Sequence, residues 1–157
     1  MKQFYAFKVF AVSSVFLIAL SNSAIAANEF AAGSARISEV CKFQFDARSN
    51  GGHVTEQCDF GAGQVLFAGP VLCFKAADNL ATFVWQLQNA PADKQGWYQQ
   101  VYIVDNGAPG HRVPDEFKND PEVPTLGALC DDLSIDPFPG TGPVLKGNFV
   151  VSTETEE

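Results

Sequence analysis

The chain has 157 residues, 46% hydrophobic and 18% charged, with 10 basic against 18 acidic side chains and a net charge of −8. That length suits one domain with a tail rather than two full cores, and the apolar fraction argues against a disordered chain. The acidic balance argues against a nucleic-acid binder, which needs a basic stripe to neutralise phosphates.

Residues 1–26 read as a secretory signal. Lys2 and Lys8 form the positive n-region, Val9 to Leu20 the apolar h-region, and Ala24-Ile25-Ala26 a small-x-small cleavage site. The apolar run is about a dozen residues, short of the roughly 20 that cross a bilayer. The reading is therefore export with cleavage after Ala26 or one residue later, not an anchor, and delivery to the periplasm or the medium. No Cys follows the site to carry a lipid, and no later run is long and apolar enough to span a membrane. Cleavage removes two Lys and no acid, leaving a net charge of −10 on a domain at 27–152 and an acidic tail at 153–157.

Ile37, Cys41, Phe43, Phe45 and Ala47 alternate with polar residues, as do Val54, Cys58 and Phe60, and Ser49-Asn50-Gly51-Gly52 between them is a hairpin signal. A four-residue loop at Arg48 to Gly51 sets Cys41 opposite Cys58. A two-residue Asn50-Gly51 turn would set Cys41 opposite Phe60, leaving the cysteines on a diagonal of roughly 7–8 Å, too far to bridge without distortion. Val65 to Ala76 is an apolar run broken at Gly69-Pro70, which suggests a bend or two short strands. Asp78-Asn79 is a turn. Ala81, Phe83, Trp85 and Leu87 form one face of a half-buried strand. Asn89 to Gly96 is a polar loop. From Trp97 to Asp105 a further strand sets Trp97, Val101 and Ile103 against Tyr98, Gln100 and Tyr102, with Gln99 interrupting the apolar set. The Pro-, Gly- and Asp-rich stretch from Asn106 to Pro143 is too long for a bare loop, so it predicts a short strand or helical turn pinned by Cys130. A last strand runs around Gly147-Asn148. The expected fold is an all-β, antiparallel β-sandwich of about six to nine strands, with a small β-barrel as the alternative.

All four cysteines, Cys41, Cys58, Cys73 and Cys130, follow the cleavage site, and an even count in an exported chain predicts two disulfides. There is no C-x-x-C pair, and the histidines are His53 and His111 alone, so redox and zinc spacings are both absent. Of the three possible connectivities, strand patterning favours 41–58 with 73–130.

Gly69-Pro70-Val71-Leu72-Cys73, Asn79 and Ala81, Val104-Asp105-Asn106-Gly107-Ala108-Pro109, Cys130 and Gly147-Asn148-Phe149-Val150-Val151, in that order, resemble a recurring secreted bacterial β-rich domain that has no assigned function. The resemblance covers about half to two thirds of the chain after Ala26. It implies an exported β-rich domain with a 73–130 bond and carries over no catalytic or ligand-binding residue. Cys41 and Cys58 stand outside that pattern, and Ala108 replaces its common glutamate.

Three sets of residues are candidates for function. Asp105, Asp115, Glu116, Asn119, Asp120 and Glu122, with Asp131, Asp132 and Asp136 downstream, can supply the oxygens of a calcium site, although the order of an EF-hand loop is absent. Carboxylate pairs, or His53 and His111 with an acid, can support a small secreted hydrolase, although no G-x-S-x-G motif is present. Trp85 and Trp97 share faces with core residues. Tyr98, Gln100 and Tyr102 form an opposite, amphipathic row suited to a glycan or a protein partner. The leading expectation is a non-enzymatic exported protein acting by contact with a protein or envelope glycan, with no resident cofactor.

Overall fold

The Ser49-Asn50 turn sets the register for the first third of the molecule. In this computed structural model, which describes residues 29–108, 113–136 and 139–153, Arg48 pairs with Gly51 and the ladder runs unbroken to Cys41 opposite Cys58. The register is the one that brings the two cysteines face to face. The loop itself is tighter than four residues, because Arg48 and Gly51 already belong to the pairing. Gly52 has a φ of 141°, and a Cβ there would lie 1.9 Å from the Asp46 carbonyl oxygen, so this side of the turn demands glycine. The predicted signal segment 1–26, His111 and residues 154–157 of the tail lie outside the described residues.

Nine strands follow in chain order: β1 (Phe30–Arg36), β2 (Cys41–Arg48), β3 (Gly51–Asp59), β4 (Gln64–Ala77), β5 (Leu80–Gln86), β6 (Tyr98–Val104), β7 (Glu116–Asn119), β8 (Gly142–Pro143) and β9 (Lys146–Ser152). They form one antiparallel sheet in the order β8-β7-β6-β5-β4-β3-β2-β1-β9, curled into a half-barrel. The curl presses the inner faces of its two halves together as the layers of a sandwich meet. Phe45 on β2 stacks 5.1 Å from Phe83 on β5, and Phe43 lies 4.8 Å from Phe117 on β7. Trp85 is fully buried, and its indole N–H donates to Gln99 Oε1 at 3.1 Å. That bond explains the polar interruption on the inner face of β6: Gln99 satisfies the one donor of the buried ring.

β4 runs through the Gly69-Pro70 break as a single strand. The irregularity falls just after it, between Val71 and Cys73. Up to Val71 the odd-numbered residues face the core, while beyond the bulge Phe74 and Ala76 do. A bulge inserts one residue and so inverts the period-2 pattern downstream. Cys73 thereby faces outward beside Val84, where Cys130 meets it. The disulfide holds the loop around Cys130 over the outer side of β5. Leu133 in that loop is buried, Lys75 Nζ donates to its carbonyl at 3.4 Å, and Thr82 and Val84 have no exposed surface.

β1 has no counterpart in the sequence reading, because Phe30–Arg36 lacks β-branched alternation. Its inward residues are Ala31, Gly33 and Ala35. Gly33 pairs with Phe45 on one side and Phe149 on the other, and those two rings meet 5.4 Å apart over it. A Cβ on Gly33 would lie 2.8 Å from the Phe149 ring.

The two disulfides, 41–58 and 73–130, fit folding in an oxidising, exported environment. Among the described residues no helix is long and apolar enough to cross a membrane. The 73–130 bond spans 57 residues of sequence, which in the loop-entropy account corresponds to about 4 kcal/mol. Replacing both Cys73 and Cys130 by Ala should lower the melting temperature by about 10 °C, and unchanged melting would refute this account of the bolted loop.

Candidate functional site

Four of the acidic residues singled out in the sequence, Asp105, Asp115, Glu116 and Asp120, accept hydrogen bonds within the protein. Asp115 is buried, at 4% exposure. Its Oδ1 accepts the Asn106 N–H at 2.8 Å and its Oδ2 the Phe149 N–H at 2.6 Å, while its carbonyl accepts the Val144 N–H at 2.9 Å. Asp105 acts in parallel, taking the Gly107 N–H on Oδ1 at 2.8 Å and the Val151 N–H on Oδ2 at 2.9 Å. Phe149 and Val151 belong to β9, the outermost strand beyond β1. Their outward amides would otherwise form a bare edge, and two carboxylates receive them instead. Glu116 accepts the Thr141 hydroxyl. Asp120 accepts the Tyr102 hydroxyl at 3.2 Å and pairs with Lys118 at 3.0 Å. Of the acids nominated for calcium, Asp105, Asp115, Glu116 and Asp120 each accept from one of the protein's own donors.

Among the described residues, the grouping of metal-type ligand atoms within 4.8 Å of one another is Cys41, Glu56 and Cys58. Its two sulfurs are bonded to each other, so neither offers the thiolate a metal needs.

Tyr98, Gln100 and Tyr102 do share the outer side of β6, as the alternation predicted, and all three are half-buried. Each is tied to a neighbour. Gln86 Nε2 donates to the Tyr98 hydroxyl at 3.1 Å, Gln100 Nε2 donates to Thr82 Oγ1 at 3.3 Å, and Lys118 lies 5.3 Å above the Tyr102 ring. Burial, followed by the Asp120 charge and hydrogen bond, pushes the Tyr102 hydroxyl up to about 12. His53 is exposed on the outer side of β3, opposite Asp46.

Sequence reasoning passed over Glu56. It alternates as an inward residue of β3 between Val54 and Cys58, opposite Phe43 and Phe67, and is 9% exposed. Its Oε1 lies 3.7 Å from Cys58 Sγ, which has no proton to give. Burial, then the neighbouring Glu122 charge, raises its carboxyl from 4.5 to about 7. Glu122 itself pairs with Lys94 at 3.7 Å, and that ammonium also sits 4.0 Å from the Trp97 ring.

The outer side of β9, β1, β2 and β3 is the open one. One row across it reads Lys146, Arg36, Lys42, Gln57 and Leu66, each directly opposite the next. Beyond the row lie the β1–β2 and β3–β4 turns, joined where the Asp59 N–H donates to the Val40 carbonyl at 2.9 Å. Val40, Phe60, Leu66 and Leu145 are between 43% and 61% exposed at this end. A concavity of about 440 Å³ here is lined by Arg36, Glu39, Val40, Lys42, Gln57 and Asp59, among others.

No family model matches the chain, and comparison with curated proteins and with solved structures finds no match to it. The site therefore stands on its own geometry.

Two expectations follow from the buried acids. Asp115→Ala leaves the Phe149 and Asn106 amides without their acceptor and should cost about 2–4 kcal/mol in chemical denaturation, with Asp115→Asn losing less. For Glu56, the folded protein keeps the proton up to about pH 7 while the unfolded chain releases it above 4.5. The folded state binds more protons between those values, so stability falls as pH rises through that window. Glu56→Gln should then stabilise the protein at pH 8 by on the order of 2–3 kcal/mol and change little at pH 4; a difference independent of pH would refute the assignment.

Proposed function

We propose that this is a non-enzymatic protein, exported through a signal peptide at 1–26, that acts by contact with a protein or envelope glycan. The contact surface is the open end of the half-barrel around the β1–β2 and β3–β4 turns. The observation that carries this reading is that Val40, Phe60, Leu66 and Leu145, large apolar side chains spread along this end of the sheet, are left exposed, with Val40 lining a concavity. Exposed apolar surface rimmed by polar and charged side chains marks interaction sites. The chemistry of the other candidates supports the same reading. Asp105, Asp115, Glu116 and Asp120 are held by structural hydrogen bonds or ion pairs, and all four cysteines are oxidised.

The Tyr98, Gln100 and Tyr102 row, proposed from sequence as the binding face, lies beside the loop bolted by Cys130 and is the less available of the two surfaces. The test is co-sedimentation of the chain lacking residues 1–26 with isolated cell-envelope fragments, before and after protease treatment of the fragments. Retention should occur and should fall several-fold for Phe60→Ser combined with Leu66→Ser. Retention surviving protease treatment identifies a glycan, and retention abolished by it identifies a protein. A chain that stays in the supernatant with both preparations, or a double variant retained like the parent, would sink the proposal.

A further inference from the structure

The described cations fall into two sets. Arg48 pairs with Asp46, Lys94 with Glu122 and Lys118 with Asp120, and Lys75 donates to the Leu133 carbonyl. Arg36, Lys42 and Lys146 have no ion pair and no side-chain hydrogen bond among the described residues. Those three are neighbours: Arg36 stands directly opposite Lys42 on β2 and directly opposite Lys146 on β9, and all three point outward. Like charges opposite each other across strands destabilise a sheet. The chain carries 18 acidic residues, and none of the described ones forms an ion pair with this row. Glu39 and Asp59 line the concavity of about 440 Å³ together with Arg36 and Lys42, without an ion pair to either. Adjacent strands are about 4.8 Å apart, so flexible Lys42 and Lys146 can swing inward onto whatever Arg36 holds.

The floor beside the row is small. Ser34, Ala35 and Gly147 help the three cations to line an open concavity of about 430 Å³. Gly147 has a φ of 119°, and a Cβ there would lie 2.3 Å from the Ser34 carbonyl oxygen, so the space depends on the glycine. The next outward row along the same three strands is Asn148, Ser34 and Gln44. These are uncharged hydrogen-bonding groups, suited to hydroxyls.

We propose that Arg36, Lys42 and Lys146 form a binding site for a single phosphate group carried on a sugar, with Asn148, Ser34 and Gln44 contacting the ring. The site rests on the contact reading above and gives its glycan form a chemical class. The planar guanidinium in the centre takes two phosphate oxygens as a fork, and the flanking ammonium groups offset the remaining charge of the dianion, leaving the site one positive charge in excess. A carboxylate carries one charge, too little for three cations. A nucleic acid or other long polyanion is repelled by the acidic remainder of the protein.

The test uses the ¹⁵N-labelled chain lacking residues 1–26, titrated at fixed ionic strength with glucose 6-phosphate, inorganic phosphate, glucose, galacturonate and an acidic peptide. Glucose 6-phosphate should shift the amides of 34–36, 42–44 and 146–148, with inorganic phosphate moving only the cation row. Galacturonate should bind about tenfold more weakly than the phosphosugar, and glucose not measurably. The triple variant Arg36→Gln, Lys42→Gln, Lys146→Gln should lose these shifts while melting at or above the parent temperature, since like-charge repulsion is removed. Equal binding of galacturonate and the phosphosugar overturns the phosphate assignment, and an acidic peptide binding more tightly than either overturns the sugar. Phosphosugar binding without envelope retention removes the contact reading and leaves the site. Envelope retention undiminished in the triple variant removes the site and leaves the contact reading.

Discussion

A sheet that curls without closing leaves outer strands, and each outer strand carries amide protons that need an acceptor. In this protein Asp115 and Asp105 are those acceptors for β9. They reach from the ends of the β6–β7 connection to the Phe149 and Val151 amides, and Asp115 adds its carbonyl to Val144. The half-barrel is thus closed on this side by side-chain oxygens rather than by a tenth strand. Phe149 is held where its ring packs on Phe45 and Phe117, so the aromatic core and the carboxylates fix the same strand from two directions.

That arrangement explains which charges are free to do something else. Asp105 and Asp115 serve the backbone, Glu116 and Asp120 neighbouring side chains, and Arg36, Lys42 and Lys146 on the other layer have no ion pair among the described residues. The two layers therefore have different characters. The β4–β7 side is covered by a loop, fastened by a disulfide and internally hydrogen-bonded. The outer side of β9, β1, β2 and β3 is exposed among the described residues and mixed in polarity.

Much of the fold was legible in the residues. The Cys41/Cys58 register followed from counting across Ser49 to Gly52, and the outward row of β6 followed from alternation. What was not legible has identifiable causes. β1 is built from small residues whose role appears only once Phe45 and Phe149 lie over Gly33. The inversion in β4 is one residue long, and nothing near Leu72 announces it beyond the Gly69-Pro70 break. Asp115 looked like one acid among many, because its partners lie 9 and 34 residues away. Arg36, Lys42 and Lys146 are scattered along the chain and become a group only through the pairing of β1 with both β2 and β9.

That last pairing has a consequence for how the protein is made. β1 lies between β2 and β9, so Ala32 meets Asp46 nearby and Val150 almost at the other end of the chain. Half of β1's hydrogen bonds, and the ring that covers Gly33, are missing until the final strand has been synthesised. Contacts so distant in sequence form late and slowly. A chain emerging amino end first therefore completes the pairing of its first strand last, whatever the β2–β7 ladder has formed before it.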